Sequence, residues 1–224
     1  MQRDIDLAAV SDGRLYTSRD MARIGCHDCA GCFDCCRDME DTIVLDPYDM
    51  WRLCGGLKDS FDGLNGKAYE LVLTEGLVLP HLKNTAVDGR CIFLNEEGRC
   101  RIHAHRPGIC RLFPLARIYD GDDFKYFIQV NECPAAGKTK VRIEKWLETP
   151  RIRDYEAWLS RWHNLTRRSR EVLAAVDPSS PSAQQMIMLI LTLFYQRIIP
   201  GLDFYEQFDK AAATLEKLLT ELGS

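Results

Sequence analysis

A chain of 224 residues with 46% hydrophobic and 28% charged residues can bury a core of its own, and this balance excludes the disordered and collagen-like classes. A net charge of -4 excludes the globally basic surface that draws a protein to nucleic acid. The longest apolar run, Met186 to Tyr195, ends at Gln196 and Arg197, far short of the roughly 18 apolar residues of a membrane span.

The first twenty residues carry Arg3, Asp4 and Asp6 and no stretch apolar enough for a secretory leader, which predicts a cytoplasmic location. In a reducing compartment, ten cysteines are better explained by metal ligation or redox chemistry than by disulfides. Five of them, Cys26, Cys29, Cys32, Cys35 and Cys36, crowd into "GCHDCAGCFDCCRDM".

After this block, Thr42–Leu45 reads as a short strand leading into a helix begun by Asp46 and Pro47, a good N-cap followed by Pro at the first helical position, and stopped by Gly55 and Gly56. A second helix is predicted around Asp62–Thr74, and an extended segment over Gly76–Leu82 with Pro80 at an edge. "RCIFLNEEGRCRIH" reads as a hairpin turning at Asn95–Gly98, with Cys91 and Cys100 near its ends. "LARIYDGDDFKYFIQV" repeats the design, with Asp120–Asp123 as the turn and Phe124, Tyr126 and Ile128 on one face.

From Pro150 the pattern becomes helical: Ile152, Tyr155, Trp158, Leu159, Trp162 and Leu165 form a stripe that needs a partner surface. Pro178 and Pro181 bound a linker, and helices follow at about Ala183–Ile199 and Asp203–Leu222. The expected fold is α+β and predominantly helical, with short hairpins and loops around a cysteine metal site. Residues 1–148 form the metal-binding domain, and 149–224 a helical region packed against it. The C-terminal helices also offer a face for a protein partner or a second copy of the chain.

The first block cannot be one straight helix feeding one ion. At 100° and 1.5 Å per residue, Cys26 and Cys35 would stand about 180° and roughly 13 Å apart, whereas sulfurs sharing a zinc lie under about 4 Å from one another. The block must loop or feed more than one centre, and the adjacent Cys35 and Cys36 point the same way, since neighbouring side chains in an extended backbone face opposite sides. Closely spaced Cys-x-x-Cys runs also wrap iron-sulfur clusters, and one run can serve two. The second group is Cys91, Cys100, His103 and Cys110, with Cys133 beyond it. Arg90, Arg99, Arg101, Arg106 and Arg111 flank these thiols and suit a set of thiolates that stays negative even when loaded.

"CAGCFDCCR", together with the downstream cysteines and His103, Arg106 and Pro107, resembles the YkgJ-type cysteine-cluster family, whose signature is Cys-x-x-Cys-x-x-Cys-Cys. The likeness is clear over Cys26–Pro134. It implies a zinc- or iron-chelating domain with Cys29, Cys32, Cys35, Cys36, Cys91, Cys100, Cys110 and Cys133 as ligands. Cys26 is an extra or substitute ligand. A similar block occurs in longer flagellin lysine methylases that are thought to use an iron-sulfur cluster. The resemblance supplies no reaction, and no catalytic residue is assigned.

Other residues have plainer readings. Cys54 on an apolar helix segment is a small core residue. His103 is a ligand, a hydrogen-bond partner of a ligand, or a polar surface group, and the remaining histidines are not taken as ligands. There is no GxGxxG, P-loop or nucleophile elbow. One dense run and one dispersed set favour an iron-sulfur cluster, of 4Fe-4S type, in a redox or cluster-dependent modification role. The alternative is a zinc-stabilised binding module without catalysis, and metal ions are the partners in either case.

Overall fold

The computed structural model describes residues 6–26, 32–37, 42–86 and 88–222. Its helices are α1 (Leu7–Val10), α2 (Pro47–Leu57), α3 (Phe61–Leu64), α4 (Gly108–Leu112), α5 (Ile143–Leu147), α6 (Ile152–Ala174), α7 (Pro181–Leu191, extended by a π turn over Thr192–Gln196) and α8 (Phe204–Leu222). Strands β1 (Met21–Gly25) and β6 (Thr139–Arg142), β2 (Tyr69–Thr74) and β3 (Leu77–Leu82), and β4 (Leu115–Asp120) and β5 (Asp123–Ile128) form three antiparallel pairs. The fold is α+β and predominantly helical. No described helix is long and apolar enough to cross a membrane.

Helix α2 starts where its sequence signals it. The Asp46 side chain accepts from the Asp49 N–H (2.8 Å), the Asp49 side chain accepts from the Asp46 N–H (3.4 Å), and Pro47 opens the first turn. The expected stop at Gly55 and Gly56 is not observed. The helix runs through both to Leu57 and ends on Lys58 in the left-handed region (φ 55°). Gly56 serves packing: a Cβ there would stand 2.3 Å from the His105 ring.

The helix predicted over Asp62–Thr74 is instead one turn, α3, followed by β2. Glu75 (φ 51°) and Gly76 (φ 83°) both take positive φ and form the two-residue turn into β3, the conformation that a tight hairpin requires. Thr42–Leu45 lies beside β3 through a single bridge, Val44 to His81, and two flanking bonds, Leu45 N–H to the Pro80 carbonyl and Leu82 N–H to the Ile43 carbonyl. The β4–β5 hairpin turns at Gly121 and Asp122 as expected.

The α6 stripe finds its partner within the chain. Tyr155, Trp158, Leu159, Trp162 and Leu165 are buried against α8 and α2. Tyr48 of α2 lies 5.0 Å, centroid to centroid, from both Tyr155 and Phe204, and Trp158 lies 5.2 Å edge-on from Phe204, separations that favour aromatic pairs beyond simple burial. A second, smaller core gathers Ala22 and Ile24 of β1, Leu115 and Tyr126 of the β4–β5 hairpin, and Ile143 and Leu147 of α5. Phe124 and Ile152 touch both cores.

Between α2 and α4 lies a group of charges largely withdrawn from water. Asp49 and Arg111 are each 2% exposed, and Asp49 accepts the Gly108 N–H at 2.7 Å. Arg111 donates through Nη1 to the Arg106 carbonyl at 3.0 Å. Burial raises the Asp49 carboxyl, against the lowering influence of Arg111. Burial, reinforced by Asp49, pushes Asp46 up to about 8 from 3.8.

The folded chain thus holds the Asp46 proton more tightly than the unfolded chain does. The stability linked to that proton is complete below pH 3.8 and is lost as pH rises toward about 8. Asp46→Asn keeps a side-chain oxygen for the N-cap and removes the titration. Thermal unfolding across this window is expected to show a smaller fall in midpoint with rising pH for the variant than for the wild type. Parallel profiles would contradict this assignment.

Candidate metal centre

Of the first cysteine block the structure describes Cys26 and residues 32–37, and the latter form no α-helix. Asp34–Cys36 form one 3-10 turn, ended by the Arg37 N–H bonding the Asp34 carbonyl. Cys32, Cys35 and Cys36 are half-buried, and Cys29 lies outside the described residues. Two contacts bring this turn to the downstream cysteines. The Cys91 N–H donates to the Cys36 carbonyl at 2.9 Å. The Phe33 ring fills the space over Gly98, where a Cβ would come within 2.6 Å of it, and Gly98 also needs its φ of +71°. The Arg37 guanidinium lies over the Phe33 ring at 4.1 Å.

The downstream half is a compact loop. A bridge between Leu94 and Cys100 and the Arg101 N–H bond to the Phe93 carbonyl close the expected hairpin, which has no extended strands. Gly98 N–H bonds the Asn95 carbonyl, and the Asn95 side chain accepts from the Arg99 N–H (2.7 Å), so the turn is built by Asn95. Cys110 arrives on α4, the helix that Asp49 holds through Gly108.

Cys35, Cys36, Cys91, Cys100 and Cys110 lie within electrostatic reach of one another. Cys36 donates its thiol hydrogen toward Cys35, and this bond, aided by the charge of Arg106, brings Cys35 down to about 7 while Cys36 is driven up. Burial raises Cys91, Cys100 and Cys110. The Phe93 N–H acts on Cys91 and the Ile102 N–H on Cys100 in the opposite sense, by hydrogen-bonding the sulfur. Backbone N–H donors two residues beyond a cysteine stabilise a thiolate and tune a metal-bound sulfur.

Of the five arginines expected around the thiols, Arg101 and Arg106 act on them. Arg111 does not face solvent beside the site. It turns into the interior toward Asp49 and Tyr155, because Cys110 and Arg111 point in different directions from one helical turn. Arg90 pairs with Asp88. His103 is exposed in the turn His103–His105. Cys26 follows β1, and the carbonyl of Cys133 accepts from Lys138 Nζ at 2.7 Å. Lys138 precedes β6 and its carbonyl accepts from Arg23 of β1, so these two cysteines flank the β1–β6 ladder. Cys54 is core, 6% exposed.

Among the described residues no three Cys, His, Asp or Glu donors are drawn closely enough together to hold an ion as they stand. The donor chemistry fits a thiophilic metal all the same. None of the nine described cysteines is in a disulfide, and all but Cys54 keep some exposure. Five of them share one electrostatic neighbourhood. Asp49, Phe33 and Gly98 support the site without any motif to announce them; only the Asp46–Asp49 capping signal could have drawn attention to the first.

Arg106→Gln removes the charge that favours the Cys35 thiolate. In metal-free protein the pH midpoint for alkylation of Cys35, followed by peptide mass spectrometry, is expected to rise relative to the wild type. An unchanged midpoint would contradict the role given to Arg106.

Neither a curated protein nor a solved structure matches the chain. A family model does, over residues 28–135, and it describes a zinc- or iron-chelating domain with the signature CxxCxxCC. That span takes in the 3-10 turn, the Cys91–Cys100 loop, Cys110 and Cys133, which are the segments assembled above. Over residues 28–135 the chain matches the CxxCxxCC family of zinc- or iron-chelating domains.

Proposed function

We propose that this domain holds an iron-sulfur centre, of 4Fe-4S type, through Cys29, Cys32, Cys35, Cys36, Cys91, Cys100, Cys110 and Cys133, with Cys26 and His103 as accessory donors. One observation carries the reading: five described thiols, Cys35, Cys36, Cys91, Cys100 and Cys110, share one electrostatic neighbourhood. A single structural zinc is satisfied by four ligands, so a fifth thiol favours a polynuclear centre.

When bound, such a cluster supplies one-electron chemistry. The chain's own part is to hold the thiolates, to donate N–H hydrogen bonds from Phe93 and Ile102, and to offset charge with Arg101 and Arg106. These groups would tune the potential of a bound cluster.

A zinc-stabilised binding module is the second reading. What favours it is the segment between β3 and α4, which carries Cys91 and Cys100 and whose described residues form isolated bridges and one three-residue turn. A segment so poor in regular structure gains folding free energy directly from bound metal.

Iron, zinc and acid-labile sulfide measured on anaerobically purified protein separate the two. Coloured protein containing iron and sulfide is the expected result. Colourless protein with zinc and neither iron nor sulfide would overturn the cluster and leave the zinc module standing.

A further inference from the structure

Cys110 is carried by little more than one helical turn. Helix α4 runs from Gly108 to Leu112, far too short to hold its shape by its own hydrogen bonds. Its first N–H groups need outside acceptors, yet the residue at its N-cap is Pro107, whose side chain makes no capping bond. The missing acceptor comes from another helix. Asp49 of α2, 59 positions earlier, takes the Gly108 N–H on Oδ1 at 2.7 Å, while its Oδ2 takes the Asp46 N–H at 3.4 Å.

One carboxylate therefore spans the starts of α2 and α4. The approach is close because residue 108 has no side chain: a Cβ there would stand 2.7 Å from the Tyr155 hydroxyl and 3.4 Å from Asp49 Oδ1. Asp49 and Gly108 are both buried, so water is poorly placed to replace the bond if it is lost. At the far end, the Trp146 indole N–H donates to the Phe113 carbonyl at 3.1 Å. Cys110 sits between these two pins, two residues from the first.

The other thiols are held differently. Cys36 and Cys91 share a backbone bond, and Cys100 bridges to Leu94, hydrogen bonds in which Asp49 takes no part.

We propose that Asp49 is a positioning residue for the metal centre: through the Gly108 N–H it sets the Cys110 sulfur for ligation, and its loss frees that ligand ahead of the rest. This rests on the reading of Cys110 as a ligand. Groups that hold a metal ligand in place commonly change metal affinity by about 10- to 100-fold when removed.

The test is site-resolved alkylation of the anaerobically purified full chain with its metal in place, followed by peptide mass spectrometry. Ligated thiols are shielded from the reagent. Cys54 lies in the core and reacts when the whole fold opens, so it gauges global stability within the same sample. In Asp49→Ala, Cys110 is expected to react about tenfold faster than in the wild type, with Cys54 and Cys91 near their wild-type rates. Asp46→Ala damages the same cap of α2 but leaves Gly108 its acceptor, and should leave Cys110 shielded. Asp49→Asn keeps the volume and one oxygen; it should give a smaller rise at Cys110 with Cys54 unmoved, and it decides the matter if the alanine variant does not fold.

The proposal is overturned if Cys110 reacts at its wild-type rate in the Asp49 variants, if Cys54 accelerates together with Cys110, or if Asp46→Ala exposes Cys110 as much as Asp49→Ala does. Stripping the metal from the wild type separates the two possible failures. If Cys110 is no more reactive without metal, it is not a ligand and the reading beneath the proposal falls too. If Cys110 responds to metal removal but not to the Asp49 substitutions, that reading stands and the positioning role alone is lost.

Discussion

Asp49 is the residue on which both halves of this domain lean. It is a carboxylate in the interior, 2% exposed. A buried charge is tolerated only when hydrogen bonds and opposite charge compensate it. Asp49 meets that demand by closing the cap of α2, by accepting the Gly108 N–H and by lying near Arg111. Those same contacts fix α4, and with it Cys110, against α2. The neighbouring residue Tyr48 enters the aromatic packing with Tyr155, Trp158 and Phe204. Helix α2 thus has a polar end committed to the thiol site and an aromatic side committed to the core.

The thiol site is made by two segments far apart in sequence that meet through backbone and packing rather than through cysteine chemistry. The Cys91 N–H bond to Cys36 and the seating of Phe33 over Gly98 hold the 3-10 turn against the downstream loop. Within that frame, burial and, to a lesser degree, neighbouring thiols raise Cys91 and Cys100, while N–H donors and Arg106 pull the other way. A metal resolves the conflict by replacing the protons. Ligation therefore competes with protonation and strengthens as pH rises.

Much of this was legible in the sequence wherever one local signal acted alone. The Asp46–Pro47 start of α2, the β4–β5 hairpin and the α6 stripe with Tyr155, Trp158 and Trp162 follow from capping and periodicity. That the cysteine block must loop rests on distance alone, and part of the block lies outside the described residues. The misreading over Asp62–Thr74 arose where Leu64, Ala68, Leu71 and Val72 mimic helical spacing, while the Glu75–Gly76 turn that makes Tyr69–Thr74 a strand lies just beyond. Arg111 looked like its neighbours because adjacent residues on a short helix differ in direction, not in composition. The β1–β6 pairing, which sets Met21 opposite Arg142, joins segments too distant for any local pattern to reveal.

That two distant segments make a single centre is most directly tested by the metal content per chain of Cys36→Ser and Cys91→Ser, each purified anaerobically beside the wild type. If the halves share one centre, either substitution strips nearly the whole metal complement. Retention in each variant of the metal belonging to the other half would mean two independent sites and would contradict this account.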